Sequence, residues 1–243
     1  MKKVTLPENS WRKMKWNKKF IYPASTRALI NNERHYDVNE EKLPSVTTIL
    51  SATQSDEKKA SLAKWTQSVG QDQATRIRDQ AAERGSIMHR VLEGYLLGQN
   101  HADFSDLGQQ AGSMANVILE SGIRGHLDEI WGSEITVYYP GLYAGATDLA
   151  GIYDGRESII DFKQSNKPKK KEWIEDYFMQ LAAYAMAHNH VYGTNIQSGI
   201  ILMCTKDNYF QRFSVKDKDF QQFTFKWLKR VDQFHSNKHL THE

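Results

Sequence analysis

The pair Asp154-Gly155 separates two runs rich in apolar residues, Gly145 to Tyr153 and Arg156 to Lys163. An Asp-Gly pair between such runs is the strongest short-range signal for a two-residue hairpin, because both central residues must take up positive φ. Counting outward along both strands sets Tyr153 against Arg156 and brings Asp148 opposite Asp161, with side chains on one face roughly 5 Å apart. Lys163 shares that face through the two-residue period of a strand. Like charges directly across a ladder repel, so the two carboxylates need solvent, a shared proton or a cation between them. A hard divalent ion such as Mg²⁺ suits oxygen donors of this kind.

A plainer reading makes Asp161 and Lys163 a surface ion pair and Asp148 a solvated strand residue. The apolar setting weighs against it. Ile159, Ile160 and Phe162 surround Asp161, which places the carboxylate on a substantially buried strand, where an unpaired charge is costly.

The rest of the chain supplies what such a hairpin would need. Its 243 residues, 40% hydrophobic and 25% charged, are ordinary for a globular protein with a sizeable core. The single cysteine, Cys204, lies in the apolar run Gly199 to Cys204, which predicts a buried thiol and excludes an intrachain disulfide or a four-cysteine iron-sulfur cluster. No apolar stretch is long enough to cross a membrane, and the start lacks the hydrophobic segment of a secretory signal. The expectation is an intracellular protein, of bacterial or phage-infected cytoplasm before a mitochondrion. Net charge is only +3, but its distribution is uneven. Lys2, Lys3, Arg12, Lys13, Lys15, Lys18 and Lys19 crowd the beginning, interleaved with Trp11, Trp16, Phe20 and Tyr22. That mixture suits phosphates and stacked bases, or a basic arm whose aromatics tuck onto the domain. A second cluster, Lys167, Lys169, Lys170 and Lys171, follows the carboxylate strand and would draw a phosphate backbone towards it.

Along the chain, a basic arm is followed by a short extended pair near Arg34 to Val38, and Leu43 to Leu50 opens a helical region. Helices are predicted over 56–73, 73–97, 106–130, 171–192 and 217–235, with Gly122 and Gly125 as weak points in the third. Strands are predicted over 135–139, 145–153, 157–163, 196–204 and 209–215. The order predicts an α/β fold with a helical N-terminal portion, residues 1–72 forming the arm and helical segment and 73–243 the core of one continuous domain.

Two helices could complete a site. His89 and Glu93 lie one turn apart on the helix that carries Arg84-Gly85, although a lone histidine is more often a satisfied core residue. The helix after the lysines carries Trp173, Tyr177, Gln180 and Tyr184 beside the more apolar Ile174, Phe178, Leu181 and Ala185. The apolar stripe is ordinary packing, whereas the first has polar tips that can reach a site while their rings pack.

Taken in order, the histidine after Arg84-Gly85, the Gly145-Ala-Thr-Asp148 strand, the Asp161-Phe-Lys163 strand and Gln180-Leu-Ala-Ala-Tyr184 resemble the motif series of PD-(D/E)XK nucleases of the RecB-like exonuclease group. Leu43 to Leu50 further resembles the segment preceding the core in the mitochondrial genome maintenance exonuclease family, which also has aspartate where glutamate is commoner before the lysine. The resemblance implies a restriction-endonuclease-like core, a central mixed sheet flanked by helices. It implies side chains of His89, Asp148 and Asp161, with the Phe162 carbonyl, as ligands of Mg²⁺ or Mn²⁺. Asp148, Asp161 and Lys163 would form the catalytic set, Lys163 orienting or helping to deprotonate the attacking water. Gln180, Tyr184, the four lysines from Lys167 to Lys171 and Trp173 would hold the DNA. The implied activity is exonucleolytic cleavage of DNA, on single strands or flap ends. Competing readings are an endonuclease of the same fold, a nucleic-acid-binding module with an inactive site, and a metallohydrolase acting on another substrate.

Overall fold

A computed structural model describes residues 14–240 apart from Asn32, Asn100 and Ala102. Lys2, Lys3, Trp11, Arg12 and Lys13 of the basic arm lie outside the described residues.

The core is a five-stranded sheet whose spatial order follows the chain: β4 (Leu127–Tyr139), β5 (Tyr143–Tyr153), β6 (Arg156–Ser165), β7 (Ser198–Thr205) and β8 (Phe210–Lys216). All neighbours are antiparallel except β6 and β7. That parallel pair is joined by helix α5 (Glu175–Tyr192), since a parallel connection needs a crossover of a dozen residues or more. Strand β7 is buried along its whole length, as a strand covered on both faces should be. Alternation along the strands divides the core in two. Ala150, Ile159, Ile201 and Met203 pack with α5, with α1 (Val46–Ala52) and with α6 (Asp217–Leu240). Leu149, Ile160, Phe162 and Leu202 pack with α3 (Gln71–Leu96) and α4 (Asp106–Ile118). Asp161 therefore points to the α5 side of the sheet, sharing the face of Ile159.

A separate antiparallel sheet is built from β1 (Ser25–Ile30), β2 (Glu33–Val38) and β3 (Glu41–Pro44). The sequence predicts a short extended pair near Arg34 to Val38, a range that covers only the second of these. Strand β1 is almost wholly exposed, so it lacks the apolar alternation that would betray it. Tyr36, Val38 and Leu43 seat the small sheet on Ala144 of β5. Ser45 then caps α1 by accepting from the Thr48 amide at 2.9 Å. Helix α2 (Asp56–Val69) has no buried residue; Lys58 ties it to Asp176 of α5 at 2.6 Å.

The predicted long helix of 73–97 is α3, but the helix predicted to reach Ile130 is cut short. It passes into a π turn over Leu119–Ile123 and stops, with Gly125 at φ +80°. The Gly122 carbonyl accepts from the Tyr153 hydroxyl at 2.6 Å, and the chain enters β4 eight residues earlier than the sequence suggests. Two register shifts bend this added part of β4, and Gly151 makes the bend feasible: a Cβ there would lie 2.0 Å from the Glu129 carbonyl.

The described aromatic residues of the arm, Trp16, Phe20 and Tyr22, lie against the domain. Trp16 donates to the Leu96 carbonyl at 3.1 Å, and Phe20 and Tyr22 join Trp131, His188 and Tyr192 in one ring cluster. Lys15 pairs with Glu129 at 2.8 Å and Lys19 lies 4.0 Å over the Trp131 ring. This is the second of the two readings of the arm.

Candidate active site

The hairpin register is the one counted from Asp154-Gly155: Tyr153 pairs with Arg156 and the ladder runs to Leu149 and Ile160. Asp148 and Asp161 stand one step further, where the strands have parted. There the Phe162 amide donates to Asp148 Oδ2 at 2.6 Å, which replaces the ladder bond and fixes the carboxylate. The β4–β5 ladder brackets Asp148 on its other side. Ser133 pairs with Leu149 and Ile135 with Thr147, so the residue across from Asp148 is Glu134. Glu134 has φ +51°, an uncommon state for a residue with a Cβ and a marker of functional strain. Three carboxylates thus occupy corresponding places on three adjacent strands.

Helix α3 brings His89 to this row. Its Nδ1 lies 3.3 Å from Asp148 Oδ1 and 3.8 Å from Glu134 Oε1. Donor atoms of His89, Glu134 and Asp148 all fall within 4.8 Å of one another. An imidazole and two carboxylates at that separation fit a divalent ion such as Mg²⁺ or Mn²⁺. The expected ligand set was His89, Asp148, Asp161 and the Phe162 carbonyl. The triad brings in Glu134, whereas Asp161 gives its Oδ2 to the Lys163 ammonium.

The electrostatics of the site follow from burial and proximity. Burial alone would lower the His89 pKa, but Asp148 and then Glu134 outweigh it and push the imidazole up to about 10. Asp148 is held below the usual carboxylate range: burial would raise it, and His89, Lys163 and the Phe162 amide overcome that. Asp161, only 3% exposed, is pushed up to about 6 by burial, with Lys163 opposing and Asp148 reinforcing the rise. Lys163 is raised despite burial because Asp161 and Asp148 face it. Lys163 is therefore an ammonium.

These groups line one cavity of about 250 Å³ together with Gln180, Tyr184, Gly145, Tyr36, Arg27 and Arg34. Gln180 donates to the Tyr184 hydroxyl at 2.8 Å. Gly145 makes room for that ring, since a Cβ there would be 2.5 Å from Tyr184 Cε1. The sequence missed Glu134, Arg27, Arg34 and Tyr36. The turn between Tyr139 and Tyr143 has three residues, Pro140-Gly141-Leu142, and that register sets Glu134 across from Asp148, whereas a two-residue turn at Pro140-Gly141 would set Ser133 there. Glu93 is partly exposed, and burial, with the charge of Glu134 second, raises its pKa.

Lys167, Lys169, Lys170, Lys171 and Trp173 do not line the cavity. They form an adjoining loop, anchored to β8 by a reciprocal pair of bonds between the Lys169 backbone and the Gln211 amide at 2.8 and 2.9 Å. Trp173 is 58% exposed, with Lys170 5.4 Å from its ring centroid. Among the described residues, none of these lysines is in an ion pair with a carboxylate.

No protein-family model matches the chain. Mitochondrial genome maintenance exonuclease 1 of Homo sapiens is 29% identical over 212 residues, covering 81% of this chain and 59% of that protein. Its Mus musculus counterpart is 27% identical over 201 residues, covering 79% and 59%. The chain spans about three-fifths of the length of the curated relatives it matches. Their name is mitochondrial, which does not favour the expected bacterial or phage-infected compartment. Among the described residues no helix is long and apolar enough to cross a membrane. Among solved structures, an exonuclease from Eubacterium rectale described as putative in its own name has a TM-score of 0.47 at 16% identity, over 65% of each chain. An alkaline exonuclease from Laribacter hongkongensis has a TM-score of 0.30 at 11% identity, over 65% of this chain and 86% of that one. By its sequence this chain is similar to the mitochondrial genome maintenance exonucleases, and its fold is α/β, a central mixed five-stranded sheet flanked by helices.

Proposed function

We propose that the chain is a metal-dependent DNA exonuclease that hydrolyses phosphodiester bonds from a free end, on single strands or flap ends. The observation that carries this reading is the convergence of His89, Glu134 and Asp148 donors within 4.8 Å beside a buried Asp161–Lys163 pair. The relatives' name supports it. His89, Asp148 and Glu134, with Asp161 and the Phe162 carbonyl, would hold Mg²⁺ or Mn²⁺. When bound, such an ion lowers the pKa of water and screens charge on the scissile phosphate. Lys163 then donates to the water or to a phosphate oxygen and so orients the attack. Gln180 and Tyr184 position the strand, and the loop of Lys167, Lys169, Lys170 and Lys171 with Trp173 grips backbone and bases as they leave the cleft.

Purified protein with Mg²⁺ or Mn²⁺ and end-labelled single-stranded DNA is expected to give short products. Asp161→Ala and Lys163→Ala are each expected to abolish them. Single-stranded circles are expected to survive; their linearisation would favour an endonuclease. No cleavage under either ion, with salt-sensitive binding retained, would assign the chain to binding alone.

A further inference from the structure

The small sheet carries two arginines that the catalytic reading leaves unused. Strand register pairs Arg27 with Tyr36 and Leu29 with Arg34. Both arginines therefore stand on the face that bears Tyr36, Val38 and Leu43 and packs on β5. Both line the cavity that holds Asp148, Asp161 and Lys163. A second cavity of about 370 Å³, lined by Tyr22, Pro23 and Thr136, shares Arg27, Glu134 and Ala146 with the first. Arg27 thus marks the junction of a groove that leads out of the site.

The Arg27 guanidinium lies by an aromatic ring, the Arg34 backbone is fixed to α1, and neither charge is neutralised by a carboxylate among the described residues. Arg124, Arg156, Arg212 and Arg230 each have a carboxylate within 4.0 Å. Among the described residues, Arg27 and Arg34 have none. Arg27 lies 5.6 Å from the centroid of the Tyr36 ring. The Arg34 carbonyl accepts from the Ser45 amide and from the Thr48 hydroxyl, both at 2.9 Å, which locks that strand to the start of α1. Permanently charged, planar forks on a fixed strand are suited to phosphate oxygens.

We infer that Arg27 and Arg34 form a phosphate-gripping station on the small sheet, which holds an internal phosphodiester of a single strand beside the reacting centre. This rests on the nuclease reading of the site. The arginines position the strand through a neighbouring linkage and take no part in bond cleavage, so their loss raises KM and leaves kcat near that of the parent.

The test measures binding of a fluorescent single-stranded oligonucleotide in EDTA across a salt series, for the parent, Arg27→Gln, Arg34→Gln and the double variant. Arg156→Gln, at the far end of the β5–β6 hairpin, controls for loss of one positive charge. Each lost charge-assisted contact is expected to weaken binding about tenfold. The double variant is expected to show a log K against log salt slope shallower by about 1.4, from about 0.7 per contact on a single strand. Oligonucleotides with a 5′-phosphate and a 5′-hydroxyl separate the two sources of phosphate. Equal losses on both support an internal diester, and a loss confined to the phosphorylated one overturns that assignment. A parental slope and affinity in the double variant overturns the station alone, whereas absence of cleavage by the parent with Mg²⁺ or Mn²⁺ overturns the nuclease reading.

Discussion

Acid should loosen the arm that delivers the small sheet to the site, and His188 on α5 is where the effect can be worked out. The side chain is completely buried. Its Nε2 meets the Tyr22 hydroxyl at 3.1 Å and its Nδ1 the Thr194 hydroxyl at 2.8 Å. Phe20, Trp131 and Tyr192 enclose the ring at centroid distances of 4.9, 5.8 and 4.7 Å. Burial, and then the charge of Lys19, pull its pKa from 6.5 down to about 4. A base whose folded pKa is depressed binds fewer protons folded than unfolded, so stability falls as pH drops from 6.5 through 4 and is fully present above that window. At one pKa unit per 1.4 kcal/mol, going from pH 7 to pH 4.5 should cost about 2.5 kcal/mol through this group alone. Urea unfolding followed by tryptophan fluorescence measures it, because Trp131 stacks on the imidazole. Carboxylates also titrate in this range, so the informative quantity is the difference between parent and His188→Gln. The variant is expected to be less stable at pH 7, through weaker hydrogen bonding, and to have a flatter profile between pH 6.5 and 4.5. Parallel profiles would refute the argument. Because Phe20 and Tyr22 lie immediately before Pro23 and β1, loss of this cluster should also release Arg27 from the groove.

Two substitutions probe the site itself. Gly145→Ala drives a methyl group to 2.5 Å from the Tyr184 ring, and such overpacking should cost about 1–3 kcal/mol and reduce cleavage by displacing the Gln180–Tyr184 pair; a variant matching the parent in urea midpoint and cleavage rate would show the ring yields freely. Glu134→Gly relieves a positive φ and removes a carboxylate, so stability in EDTA should change by less than about 1 kcal/mol, while the rise in melting temperature on adding Mn²⁺ should shrink; an undiminished Mn²⁺ shift would exclude Glu134 from the ion's ligands.

What could and could not be read from the residues has one physical root. A tight turn fixes register locally, so Asp154-Gly155 was enough to place Asp148 against Asp161, and Lys163 followed from strand period. Periodic apolar stripes likewise disclosed α3 and α5, and with them His89, Gln180 and Tyr184. The missed residues sit where local rules are suspended. Glu134 falls between the predicted helix and the predicted strand, on a strand whose first half carries two register shifts, and its positive φ belongs to no propensity scale. Arg27 and Arg34 lie on a small sheet with a polar edge, held to the core by Tyr36, Val38 and Leu43 from a distance in sequence that periodicity cannot span. A carboxylate row can therefore be partly legible while the groove beside it is not. The row is dictated by hydrogen-bond register within consecutive hairpins, and the groove by tertiary docking of an element whose own pattern says only that it is exposed.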